Sequence, residues 1–291
     1  MIVMESALPQ LDPMDRRLNL LDGAGQRIPG EGTPVAIGVA FTELREKPEF
    51  SCSIDTQLVF GETVRVYENN DGWARVQADR DQYVGWLEAD ALKTDAAPPT
   101  HLVSVPRTFF YPEPDLKLPH RGMRSMGSAL RVVGEATNRG TKYALLETGE
   151  AVIASHVRPV EQHSSDYVAV AETFLRTPYL WAGTTAFGLD CSGLIKLAMF
   201  MCGDHVLRDS DMQAATIGTE MNPGHRYEKV QRGDLVFWNG HVGICQGASA
   251  DGTQMLLHAN GHTMSVASEP LLGAIERIAY LYGNPIGVRR P

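Results

Sequence analysis

Cys191 is the residue of this chain best placed for covalent chemistry. It stands where a turn-rich stretch, Thr177-Pro178-Tyr179-Leu180-Trp181-Ala182-Gly183, gives way to the run Leu189-Asp190-Cys191-Ser192-Gly193-Leu194-Ile195. Beyond it, Leu194, Ile195, Ala198, Met201 and Cys202 fall at the i, i+3, i+4 spacing of one helix face. The spacing predicts a helix whose first turn carries the thiol. Unpaired backbone N–H groups and the positive dipole end favour a thiolate there. A lowered thiol pKa makes the sulfur a usable nucleophile at neutral pH, provided an imidazole is near enough to exchange its proton.

The candidate imidazoles lie some fifty residues further on (241 − 191). Asn239-Gly240 is a strong two-residue hairpin signal, and it puts His241 at the start of a strand. A second hairpin leads to a strand carrying His258. With its midpoint between Ser249 and Ala250, His241 and His258 face one another directly, within side-chain contact. His258 then orients the His241 ring, the part played by the third member of a catalytic triad. A tip at Asp251-Gly252 would pair His241 with His262 instead. Asn260-Gly261 has the character of a strand end, which leaves His262 in a turn and favours His258.

Positioning these groups takes a helix followed by an antiparallel meander. Tyr167 to Phe174 has helical spacing, the Cys191 helix comes next, and Leu235–Trp238, His241–Cys245 and Met255–His258 read as three successive strands. That is an α+β arrangement over residues 164–291. Upstream the pattern is all-β. Thr63–Tyr67, Trp73–Val76 and Tyr83–Leu87 are short strands around the turn Asn69-Asn70-Asp71-Gly72, as in a small barrel. Leu130–Val133, Lys142–Leu146 and Glu150–Ile153 echo them in the same order about 67 positions later (Trp86 to Ile153), which is the mark of a tandem repeat. The stretch from Thr94 to Thr100, with Pro98-Pro99, reads as a linker. The division expected is an N-terminal arm at 1–32, barrels at 33–97 and 98–160, and the α+β domain at 164–291.

Composition narrows the classes of function. The chain has 291 residues, is 43% hydrophobic and carries a formal charge of −9, which speaks against a nucleic-acid partner. No apolar run approaches the ~18–20 residues of a membrane span. Met1 to Leu20 mixes Glu5, Asp12, Asp15, Arg16 and Arg17 with short apolar pieces and lacks the ~7–15-residue apolar core of a secretory signal, so a cytoplasmic location is expected. Cys52, Cys191, Cys202 and Cys245 form no Cys-x-x-Cys pair, so no metal site is expected. Cys202 and Cys245 sit in apolar patterns as buried structural thiols, and Cys52 lies in a surface loop.

Taken together, Leu189-Asp190-Cys191-Ser192-Gly193-Leu194, Arg232-Gly233-Asp234-Leu235-Val236-Phe237, His241-Val242-Gly243-Ile244 and His258-Ala259 resemble the NlpC-type papain-like cysteine peptidases over residues 164–291. The upstream modules resemble bacterial SH3-like barrels. The fold implied is α+β, a papain-like C-terminal domain preceded by two small all-β SH3-like barrels. The layout is similar to that of γ-D-glutamyl-L-diamino-acid endopeptidases of cell-wall stem peptides. That resemblance implies Cys191 as nucleophile, His241 as base and then acid, and His258 as orienting residue, with no cofactor. It also implies recognition of a free L-alanine amine by a Ser, an Asp and a Tyr, matched here by Ser192, Asp209 (alternatively Asp211) and Tyr83, with Asp190 on the substrate side. The competing functions are an amidase or acyltransferase using the same Cys-His pair, or a non-catalytic wall-peptide-binding protein.

Overall fold

The computed structural model describes residues 10–22, 24–94 and 97–291. The first nine residues and Gly23 of the expected arm, and Asp95 and Ala96 of the expected linker, lie outside the described residues. The chain forms two compact units: one includes residues 14–164 and 184–187, the other 165–183 and 188–291.

The first unit is built of strands. β1 (Thr33–Ile37), β2 (Phe41–Arg45), β3 (Ile54–Val59), β4 (Thr63–Asn70), β5 (Trp73–Ala78), β6 (Val84–Glu88) and β7 (Leu92–Lys93) form one sheet in the order β3-β2-β6-β5-β4-β1-β7. In β5 the side chains alternate as a half-buried strand requires: Ala74, Val76 and Ala78 join Leu44, Leu58 and Leu87 in a closed core. The echo seen in the sequence is real in three dimensions. β8 (His101–Val103), β9 (Arg107–Phe110), β10 (Gly122–Ser125), β11 (Ala129–Leu130), β12 (Val132–Asn138), β13 (Thr141–Leu146), β14 (Ala151–Ile153) and β15 (Val157–Pro159) repeat the plan. In each copy a three-strand meander runs into a 3-10 turn, Ala89–Ala91 or Ala154–His156, and a last strand returns to the first. Both meanders slip register in their first strand, around Tyr67 and around Val133. The copies are joined where the Ala129 N–H donates to the Phe60 carbonyl at 2.8 Å. Gly61 turns there with φ +74°, and a Cβ would lie 2.1 Å from the Ala129 carbonyl oxygen, so no larger residue fits.

The second unit carries the helices. α1 (Tyr167–Glu172) starts at Asp166, whose carboxylate accepts from the Val168 and Ala169 N–H groups, the usual N-cap bonding. The two-residue strand β17 (Gly188–Leu189) precedes α2 (Cys191–Phe200), and β16 (Thr184–Thr185), just before it in the chain, belongs to the first unit. α2 is buried from Cys191 to Met199, Lys196 included, where the apolar spacing had predicted a single covered face. After α3 (Ser210–Thr216) come β18 (Thr219–Met221), β19 (Leu235–Trp238), β20 (His241–Ala248), β21 (Gln254–Asn260), β22 (Ser265–Pro270), α4 (Leu271–Tyr282) and β23 (Gly287–Arg290). The sheet order is β18-β23-β19-β20-β21-β22. The predicted meander is therefore its central part, widened by strands that periodicity missed. α4 lays Leu271, Ala274 and Ile278 on the sheet, a narrow i, i+3, i+7 stripe.

Cys245 is fully buried in β20, whereas Cys202 is only half-buried, in the turn after α2. Among the described residues no helix is long and apolar enough to cross a membrane.

Candidate active site

Cys191 opens α2, as its spacing predicts. Asp190 is the N-cap and accepts the Gly193 N–H at 2.7 Å. The loop before the helix lies directly on its first turn: the Asp190 N–H donates to the Gly183 carbonyl at 3.0 Å, and a Cβ on Gly193 would sit 2.1 Å from that same oxygen. Gly193 is therefore needed for the backbone to approach this closely.

Cys191 is 8% exposed, and the backbone N–H of Val242, the residue after His241, lies near enough to the sulfur to favour its charged form. The fold thus brings the start of α2 against the start of β20, which no spacing argument could do. The expected lowering of the thiol pKa is not what this environment produces. Burial, and secondarily the Asp190 charge, push the thiol up to about 12, against the pull of the Val242 and Ser192 N–H groups and Arg208. Desolvation of the charged form outweighs the helix N-terminus at this position. His241 is shifted the complementary way, down to about 3, first by burial and then by the His258 and Arg277 charges, with Glu269 opposing. Burial thus favours the neutral form of both the thiol and the imidazole.

His241 and His258 are joined: His241 Nε2 and His258 Nδ1 lie 2.8 Å apart. The register that joins them differs from the expected one. The tip closes over Ser249–Thr253, with the Ser249 N–H donating to the Thr253 carbonyl, and not between Ser249 and Ala250. β20 and β21 pair as Ala248↔Gln254 and Gly247↔Met255, then shift by one residue to Cys245↔Leu256 and Ile244↔Leu257. Continuing that ladder puts Asn260 opposite His241, so His258 reaches it along the diagonal, on the same face. The extra residue at Gln246 is a β-bulge, pinned by side-chain bonds to Glu172 and Ser268. β21 ends at Asn260, and His262 lies in the turn beyond it.

The far side of His258 repeats the diagonal step. β21 and β22 pair as His258↔Ala267 and Leu256↔Glu269, and His258 Nε2 lies 2.7 Å from Glu269 Oε1. Arg277 of α4 in turn makes an ion pair with Glu269. The His258 hydrogen bond, then Arg277, hold the Glu269 carboxyl down at about 2 despite partial burial. The His241 ring also sits between Trp238, with centroids 5.6 Å apart, and Tyr282 at 6.5 Å and 24° between planes.

Of the other expected residues, Asp190 and Ser192 flank Cys191 in the chain and Asp209 opens α3. Ser192 and Asp190 share the fully buried guanidinium of Arg208, whose Nη2 is 2.6 Å from Asp190 Oδ2 and whose Nη1 is 2.7 Å from Ser192 Oγ. Asp190 Oδ1 also accepts from Arg208 Nη1 and Ser192 Oγ. Asp209 is the N-cap residue of α3 but makes no side-chain capping bond, and Asp211 lies in that helix's first turn. Tyr83 belongs to the other unit, where it is buried in the first barrel with its N–H on Asp81 Oδ1. Gln213 is structural, donating to the Ser192 and Leu207 carbonyls. The sequence reading missed Arg208, Glu269 and Arg277. Strand parity carried one usable signal: once His258 is placed on β21, Glu269 follows on the same face of the next strand.

A buried cysteine at a helix start, with a histidine pair on the adjoining antiparallel strands, defines a papain-like thiol hydrolase. Residues 176–275 match the NlpC/P60 family and residues 44–92 the bacterial dipeptidyl-peptidase SH3 domain. The chain therefore contains an NlpC/P60 domain preceded by a bacterial SH3 domain. It is 25% identical over 224 residues to dipeptidyl-peptidase 6 of Lysinibacillus sphaericus, covering 70% of this chain and 81% of that one. It is 27% identical over 208 residues to a gamma-D-glutamyl-L-lysine dipeptidyl-peptidase of Bacillus cereus, covering 64% and 60%. A protein of the same name from Bacillus subtilis is 28% identical over 201 residues, covering 64% of each. The chain thus spans less than two thirds of the two Bacillus proteins. A solved NlpC/P60 family protein from Bacillus cereus superposes with a TM-score of 0.71 at 22% identity, over 89% of this chain and 99% of that one.

Proposed function

We propose that the protein is a cysteine peptidase of cell-wall stem peptides. In this reading it hydrolyses the γ-D-glutamyl–diamino acid bond of peptides with a free N-terminal L-alanine and releases L-Ala-γ-D-Glu. The observation that carries the reading is the Cys191 sulfur beside the Val242 N–H, one residue from His241, which is itself within 2.8 Å of His258. The names of the Bacillus relatives point to this bond class.

His241 takes the Cys191 proton as the sulfur attacks the γ-carbonyl, so the thiolate forms only as it is consumed. Burial, which favours the neutral form of both groups, supports this general-base route. The backbone N–H of Cys191, at the N-terminus of α2, binds the oxyanion. His241 then protonates the leaving amine, and water hydrolyses the thioester. His258 orients the His241 ring throughout. Within this unit the proposed amine-binding groups are Asp190, Ser192 and Asp209. Asp190 Oδ2 accepts one bond, from Arg208, and a carboxylate oxygen accepts two, which leaves capacity for an ammonium. Under this proposal the domains are an arm at 1–32, barrels at 33–97 and 98–160, and the peptidase at 164–291.

The test is mass spectrometry of L-Ala-γ-D-Glu-diaminopimelate and its lysine analogue incubated with the protein. The dipeptide is expected from the free peptides, at a rate at least about 10²-fold lower from N-acetylated ones, since a site built for an ammonium rejects its neutral analogue. Cleavage by Cys191→Ala at the wild-type rate would overturn the nucleophile assignment. Equal rates on the acetylated peptide would overturn the amine pocket.

A further inference from the structure

We propose that Glu269, held by Arg277, is a positioning residue that sets the tautomers of both histidines and so selects which nitrogen of His241 receives the Cys191 proton. This rests on the reading of Cys191 and His241 as the catalytic pair. The argument starts at the outer end of the chain of bonds. An ionised carboxylate only accepts hydrogen bonds, so the 2.7 Å contact with Glu269 requires the proton of a neutral His258 to be on Nε2. His258 Nδ1 is then a lone pair. The 2.8 Å contact with His241 Nε2 must be donated by His241, which places the His241 proton on Nε2. What remains is a lone pair on His241 Nδ1, the single nitrogen of the two rings not committed to another side chain.

Each link is supported by its surroundings. Arg277 lies on the second turn of α4 and pairs with the same oxygen that His258 contacts. The cation keeps Glu269 ionised and confines the carboxylate to one position. The Glu269 carboxyl accordingly lies well below the usual carboxylate range, so it remains an acceptor when His241 becomes charged. Glu269 is three side chains from the sulfur and touches neither it nor the substrate's reacting atoms. It acts through His258, as the buried carboxylate of a serine-protease triad acts through its histidine.

The experiment uses full-length protein labelled with 15N-histidine, without substrate. The expected spectrum has His258 as the Nε2–H tautomer and His241 likewise, assigned with His258→Gln and His241→Gln. His258 found as the Nδ1–H tautomer, or protonated on both ring nitrogens, in the wild type would overturn the proposal without any further variant. Glu269→Gln, whose amide can donate or accept, is expected to give His258 as a mixture of tautomers and to lower kcat roughly 10²-fold with KM within about twofold, the pattern of a misdirected base. Unchanged kcat, or lost kcat with His258 still purely Nε2–H, would overturn it. If Glu269→Gln does not fold, the wild-type spectrum still decides. Because the tautomers are read without turnover, failure of the peptide-cleavage reading is separately visible as normal tautomers with no cleavage.

Discussion

At the scale of single residues, the surroundings of Cys191 and His241 favour their neutral forms over the ion pair that a cysteine at a helix start suggests. Sequence predicts the helix end correctly, and with it the donors around the sulfur. It carries no measure of burial, which here pushes the thiol up and the imidazole down. The consequence for pH is specific. His241 is needed neutral, and its folded value near 3 lies below the ordinary 6.5. The acid limb of kcat/KM, which reports the free enzyme, is therefore expected well below pH 6.5, in a profile measured between pH 3 and 8. Stability follows the same sign. Between 6.5 and 3 the unfolded chain takes up a proton that the native ring refuses, so this contribution is complete above 6.5 and is lost as the pH falls toward 3. His241→Gln removes that dependence. A thermal midpoint that falls identically for both proteins across this window would contradict it.

At the scale of elements, the helix α2 and the strand β20 were legible, and their meeting was not. The apolar spacing after Cys191 and the Asn239-Gly240 turn fixed where each element starts. Their approach brings together residues distant in sequence, Cys191 and Val242, while the start of α2 is set by its own loop, Gly183 lying over Gly193. Gly193→Ala introduces a methyl carbon about where the Gly183 oxygen lies, and overpacking of this kind costs about 1–3 kcal/mol. Chemical denaturation is expected to show that loss, with a fall in kcat as α2 is pushed from its loop. The strands β18 and β23 went unseen for a different reason: three- and four-residue strands such as Thr219–Met221 and Gly287–Arg290 are too short for a period of two to register.

At the scale of the whole molecule, the barrels were visible as a repeat because each contains a local three-strand meander, β4-β5-β6 or β12-β13-β14. Each unit buries its own core, one around Leu58, Val64 and Leu87 and another around Val236, Leu256 and Ile278. Unfolding in more than one step is expected of such a chain. Leu58→Ala, a fully buried site, is expected to lower one calorimetric transition by about 2–5 kcal/mol while leaving the other in place; a uniform shift of a single transition would refute independent cores. The bulge at Gln246 has a further consequence for chains built on this plan. A ladder continued unbroken from the hairpin tip would turn the second histidine to the opposite side of the sheet, with every motif letter intact. Finding both histidines in a related sequence is thus a weaker guide to competence than counting, odd or even, the residues that separate them and locating the one that drops out of the pairing.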